Sequence, residues 1–168
     1  MRPELAAFLT ALGEAGLAPS RPVPEPEGEE YGAHTVEAGG RTVAFRIGKT
    51  TPTKVGQFVT AWRRSAAGPI RPLDAADGVA LLVIASYQDD RGGYFVFPRD
   101  VLVSRGVFAD GARGGKRGFR IYPPWVEPPA GQATRTRSWQ VEHFLDASAD
   151  GALDPARIAS VFAVSAHG

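Results

Sequence analysis

The chain has 168 residues, 43% of them hydrophobic, enough to bury one good core and too few for two comfortable domains, so a single domain is expected. The absence of cysteine excludes disulfides and thiolate-held zinc. No apolar run approaches the roughly 18 to 20 residues that span a bilayer, and the N-terminal stretch "MRPELAAFLTALGEAG" carries two glutamates inside its apolar pattern, unlike a signal peptide. A cytoplasmic protein without a membrane partner is the expectation.

The formal net charge of +1 hides an uneven distribution. Residues 1–37 hold two arginines against seven glutamates, a net −5, whereas 38–73 hold seven basic side chains and no acid. A second acid-free segment, 111–126, contributes Arg113, Lys116, Arg117 and Arg120. Two basic segments therefore interrupt an otherwise acidic chain.

In chain order, Leu5, Phe8, Leu9, Leu12 and Leu17 approximate the spacing of one apolar helix face. The proline-rich "APSRPVPEPEGEE" ends that helix and predicts an extended connector. "AHTVEAGGRTVAFRIGK" reads as a hairpin turning at Gly39-Gly40. Thr51, followed by Pro52, then reads as the N-cap of a helix running to about Ser65, although Val55, Gly56, Val59 and Thr60 lower its propensity and leave a strand over 56–63 open. "DGVALLVIASY" is a buried strand by its continuous apolar run, and "DDRGG" turns it into the strand "YFVFP". "RDVLVSRGV" suits a short helix, "GKRGFRIYPPW" a strand entered through glycines and stopped by two prolines, and Gln132 to Leu145 and Pro155 to Val164 two more helices. Hairpins mixed with helices indicate an α+β fold.

The string Gly48-Lys49-Thr50 resembles the tail of a nucleotide-binding P-loop. That loop needs a glycine at position 43, which here is Val43, and Pro52 falls where its helix should run unbroken. What remains is a helix entrance flanked by Lys49, Lys54 and the hydroxyls of Thr50, Thr51 and Thr53, a setting that suits a phosphate unless Thr51 merely caps the helix. A second cluster, "RGGKRGFRIYPPW", alternates cations with aromatic rings. Period-two alternation assigns Phe119 and Ile121 to the core and leaves Lys116, Arg117, Arg120 and Tyr122 at the surface. A third, "TRTRSWQ", places Arg135, Arg137 and Gln140 around Trp139.

Catalytic arrangements are thinner. His34, His143 and His167 are far apart and lack metal-ligand spacing, and there is no Gly-x-Ser-x-Gly elbow. Asp74 and Asp77, just before the strand that begins near Val79, either hold magnesium at a strand mouth or form the turn "LDAADG".

"GAHTVEAGGRTVAFRIGKTTPTKVGQFVTAWRR", "GPIRP", "GYFVFPRDVL", "GGKRGFRIYPPW" and "QATRTRSWQVEHF" resemble, in order and approximate spacing, the MepB-like family of small bacterial proteins. The resemblance implies a restriction-endonuclease-like mixed sheet flanked by helices. It divides the chain into an N-terminal helix and connector (1–31), a family core (32–145) and a C-terminal helix (146–168). An active PD-(D/E)XK nuclease places an acid two positions before a lysine, so that carboxylates hold a divalent ion beside the scissile phosphate. If Lys49 is that lysine, Ile47 stands at the acid position. Gln57 and Trp62 are similar to the glutamine-plus-aromatic feature after the lysine in some relatives.

The expectation is a nuclease-like scaffold without its usual catalytic acids and without a cofactor, binding DNA or RNA. Lys49, Thr51, Thr53, Lys54 and Gln57 would sit at the phosphate cradle. Arg63, Arg64, Lys116, Arg117, Arg120 and Arg137 would extend the track, and Trp62, Tyr122 or Trp139 would stack. The alternatives are a magnesium-dependent nuclease with acids relocated to Asp74, Asp77 or Glu37, working with Lys49, and a binder of small anions.

Overall fold

The computed structural model describes residues 1–64, 68–147 and 152–165. Its centre is a six-stranded sheet in the order β1-β2-β3-β8-β9-β11, comprising Val23–Pro24, His34–Ala38, Arg41–Ile47, Val79–Gln88, Arg91–Pro98 and Phe144–Asp146. The β3/β8 pair is parallel and the other neighbours are antiparallel, which makes the sheet mixed and the fold α+β. The β2–β3 hairpin turns where expected, with Gly39 and Gly40 both at positive φ (58° and 74°), a conformation glycine adopts without steric cost.

Both faces of the sheet are covered, which explains why β8 reads as an unbroken apolar run. Leu81, Val83 and Ala85 pack with Phe8 and Leu12 of α1 (Pro3–Glu14) and with Ile158 and Phe162 of α4 (Pro155–Ser165). Leu82 and Ile84 face the other way, toward Val59, Leu73, Phe108, Phe119 and Ile121. On this second side lie α2 (Arg99–Ser104), β10 (Gly118–Ile121) and α3 (Gln132–Gln140).

Three expectations are corrected. A parallel pair needs a crossover, commonly a helix. Here the crossover is instead built of short strands: β4 (Lys49–Thr50), β5 (Gln57–Thr60), β6 (Trp62–Arg64) and β7 (Ile70–Pro72). No helix forms over the described part of Pro52–Ser65, and Ser65 itself lies outside the described residues. Gly56 explains why: its φ is +83°, and a Cβ there would stand 2.5 Å from the Ile121 carbonyl oxygen, so the chain turns at this point and docks as a strand. From there Gln57 and Val59 point inward while Phe58 and Thr60 are half-buried, the period of two that the alternative strand over 56–63 requires.

The helix expected through Leu145 ends at Gln140. After a 3-10 turn at Val141–His143 the chain becomes β11, pairing Phe144 with Phe95 and Leu145 with Tyr94. Phe144 and Leu145 belong to the cores on opposite faces of the sheet, which consecutive strand residues achieve and consecutive helical residues do not. The Pro-rich connector is extended and strand-paired at β1 and extended at Glu25, but Pro26–Tyr31 forms a 3-10 helix closed by Gly32 in the left-handed region. Among the described residues no helix is long and apolar enough to cross a membrane.

Candidate functional site

The predicted phosphate cradle does not assemble. Without a helix at Pro52 there is no dipole end, and Thr51 caps nothing: residues 51–56, with Thr53 and Lys54 exposed, form the tip of the β4–β5 hairpin. Lys49 Nζ lies 3.4 Å from a Glu30 carboxylate oxygen and 4.7 Å from the centre of the Tyr31 ring. Gln57 is fully buried, donating to Thr50 Oγ1 (3.2 Å) and to the Tyr87 carbonyl (3.0 Å) and accepting from Ser86 Oγ (2.6 Å). It ties the hairpin to the central sheet and does not face a ligand.

Nor do the relocated acids converge. Asp74 Oδ1 accepts from Ala76 N–H at 2.8 Å and Oδ2 from Gly111 N–H at 3.2 Å. Asp77 accepts from Asp74 N–H at 2.7 Å and from both terminal nitrogens of Arg71 at 2.8 and 2.9 Å. Burial acts to raise the pKa of Asp77, but the hydrogen bonds from Arg71 and from the Asp74 backbone hold it below its ordinary value. The two aspartates are a capping box on a 3-10 turn, the turn reading of "LDAADG". Glu37 accepts from Thr42 Oγ1 at 2.8 and 3.0 Å, and Ile47 is packed in the core. Among the described residues no group of three or more histidine and carboxylate side chains is placed to hold a metal ion. His167 lies outside the described residues.

The basic side chains gather elsewhere. A groove of about 690 Å³ opens between β10, the C-terminal end of α2 and α3. Lys116, Phe119, Arg120 and Tyr122 form one wall, Ser104, Arg105 and Val107 another, and Gln132, Arg135, Thr136, Trp139 and Gln140 a third. Four cations from three segments therefore line one concavity, and none of its lining residues is acidic. The second and third sequence clusters meet here, although eight residues, 126–133, separate them along the chain.

Local structure explains how. Alternation on β10 buries Phe119 and Ile121 and turns Arg120 outward, as expected. Gln140, wholly buried at the end of α3, accepts from Tyr122 N–H at 2.9 Å and donates to the Arg120 carbonyl at 2.9 Å, extending the strand with a side chain. This amide fixes the spacing between the β10 and α3 walls. α3 is polar nearly all round, so its attachment rests on such contacts. Arg137 points away from the groove and donates to the carbonyls of Val126 (2.9 Å) and Pro124 (2.7 Å).

The rings are not free platforms. Trp139 packs against Phe97 with centroids 5.4 Å apart, and the Arg105 guanidinium lies 5.5 Å from its ring centre. Tyr122 is buried, contrary to its expected surface position, because Gln140 holds its backbone under α3. Trp62 is half-buried on β6, and Arg63 turns to Glu25 at 3.6 Å, away from the groove. Arg64 is exposed at the end of β6, and Arg117 is exposed beside Lys116, yet neither lines the groove. Arg105 is the residue that sequence reasoning missed. Its only signal was a lone arginine following a short helix, and nothing local says that a tryptophan 34 positions later lies beneath it.

The family model for MepB-like proteins matches residues 25–146. Among solved structures, the crystal structure of MepB superposes with a TM-score of 0.75 at 30% sequence identity, covering 84% of this chain and 95% of that one. None of the curated proteins compared matches the chain. By the match along residues 25–146 and the shared architecture, this chain belongs to the MepB-like family.

Proposed function

We infer that the protein binds nucleic acid, DNA or RNA, holding phosphates in the groove between β10, α2 and α3 and leaving the strand uncut. One observation carries the reading: Arg105, Lys116, Arg120 and Arg135 line a single groove with no carboxylate among them. Four like charges held together in one concavity repel one another and attract a polyanion. The acids that a cutting reaction would need are engaged in a turn and on a threonine. Because the rings in and around the groove are packed against protein, the grip falls on phosphate more than on base.

Fluorescence anisotropy with labelled single- and double-stranded oligonucleotides across a salt series tests this. With about four phosphates neutralised at roughly 0.7 to 0.9 each, log affinity should fall against log salt with a slope near −3. A slope near zero on both DNA and RNA overturns the reading, and cleavage products in magnesium or manganese overturn the uncut strand. The size of the groove favours a second reading, a small anionic ligand, because clefts of about 300 to 1,000 Å³ commonly hold one. A thermal-shift screen in which a mononucleotide stabilises the protein more than an oligonucleotide does would favour that ligand.

A further inference from the structure

Arg120 lines the groove, yet its guanidinium is bound to the hairpin tip. Nε donates to the Val55 carbonyl at 3.1 Å, and Nη2 donates to Thr51 Oγ1 at 2.8 Å, to the Gly56 carbonyl at 3.2 Å and to the Lys54 carbonyl at 3.4 Å. Four acceptors within six consecutive residues converge on one side chain. The tip also abuts the groove wall directly, since a Cβ on Gly56 would come within 2.8 Å of the Tyr122 ring. Lys54, at the apex, is exposed and forms no ion pair among the described residues, whereas Lys49 at the base lies against Glu30 and Tyr31.

We propose that the 51–56 hairpin tip is a second arm of the phosphate-binding surface, with Lys54 as its contact and Arg120 as the positioning residue that holds it beside the groove. The inference rests on the nucleic-acid reading and changes the role of Arg120 within it. A guanidinium with four bonds to the loop is saturated by backbone and hydroxyl oxygens along two of its three nitrogens, so its charge orients the tip. Phosphate then meets Lys54 on one side of Arg120 and Lys116, Arg105 and Arg135 on the other. This arrangement makes the two lysine-bearing segments of the sequence one surface, although they lie more than 60 residues apart.

A double-mutant cycle on oligonucleotide binding separates positioning from a simple sum of charges. In the wild type, Lys54→Ala should reduce the salt slope by one contact, about 0.7 to 0.9. In an Arg120→Gln background the same Lys54→Ala change should leave the slope unaltered, because the tip is no longer held. Thr51→Val, which keeps the Arg120 charge and removes one of its bonds, should reduce the Lys54 effect by an intermediate amount and guards against a folding defect in Arg120→Gln. Bound oligonucleotide should also protect Lys54 from acetylation in the wild type and not in Arg120→Gln. Additive slope losses, or Lys54 acetylated equally with and without oligonucleotide, overturn the arm and leave the groove reading standing. Failure of the wild type to bind any oligonucleotide overturns both.

Discussion

The guanidinium of Arg46 meets the carboxylate of Glu25 at 2.8 and 3.2 Å, with the arginine 1% exposed near the C-terminal end of β3. Arg46 also donates to the carbonyls of Phe45 and Thr60, and Glu25 accepts from Thr35 Oγ1 and lies 3.6 Å from Arg63. One ion-pair network thus joins the Pro-rich connector, the central sheet and the crossover strands. Removing one partner of such a pair leaves a buried charge uncompensated, a loss of about 3 to 5 kcal/mol. Glu25→Gln should lower the urea midpoint accordingly at unchanged m-value. A loss below about 1 kcal/mol would show that water reaches Arg46 and compensates it.

The same carboxylate sets an acid limit. Burial tends to raise the pKa of Glu25, but Arg46, Arg63 and the Thr35 hydroxyl outweigh it and hold it below its ordinary 4.5. A carboxyl depressed in the folded state binds fewer protons there than when unfolded. Its stabilisation is complete above pH 4.5 and is lost as pH falls through the lower folded value. Asp77, held below 3.8 chiefly by Arg71, adds to the loss at still lower pH. Urea midpoints measured between pH 7 and pH 3 should fall below about pH 4.5, and less steeply in Glu25→Gln. Equal slopes in the two proteins would remove Glu25 from the account.

Arg135 and Arg137 are two residues apart and should behave in opposite ways. Arg135 lines the groove, so Arg135→Ala should reduce the salt slope by about 0.7 to 0.9 with little change in melting temperature. Arg137 binds two carbonyls, so Arg137→Ala should lose on the order of 1.5 to 3 kcal/mol of stability with the slope unchanged. The reverse pattern would place the ligand on the other side of α3.

Trp139 supports Arg105 against Phe97, which predicts an effect on folding more than on base recognition. Trp139→Ala should destabilise by about 3 kcal/mol, the lower end for a large aromatic because the ring is half-buried. Wild-type protein should bind an oligo-dT and an abasic strand of equal length with affinities within about tenfold, since each free stacking platform would contribute roughly 1 to 3 kcal/mol per base. A much larger preference would mean that a ring in or beside the groove is available after all.

Segments whose pattern was local were legible in the sequence. The β2–β3 hairpin, β8, β9, α1 and the inward alternation of Phe119 and Ile121 followed from spacing and turn glycines, because each depends on neighbours within a few residues. The stretch after Lys49 was misread because Thr51-Pro52 is a sound helix start in isolation. The φ of Gly56 and the docking of β5 on β10 are tertiary facts that override it.

The candidate site divides along the same line. By itself the sequence determined that positive charge is concentrated in two acid-free segments and that no thiol chemistry is possible, since charge and residue type are properties of the chain. Only the tertiary structure decided which of the chain's cations act together. Lys49 was set against Glu30, Arg63 against Glu25 and Arg137 against backbone carbonyls, whereas Arg105, Lys116 and Arg135 line the same groove. A cation's availability depends on which oxygens lie within a few ångströms of it, and those oxygens come from distant parts of the chain.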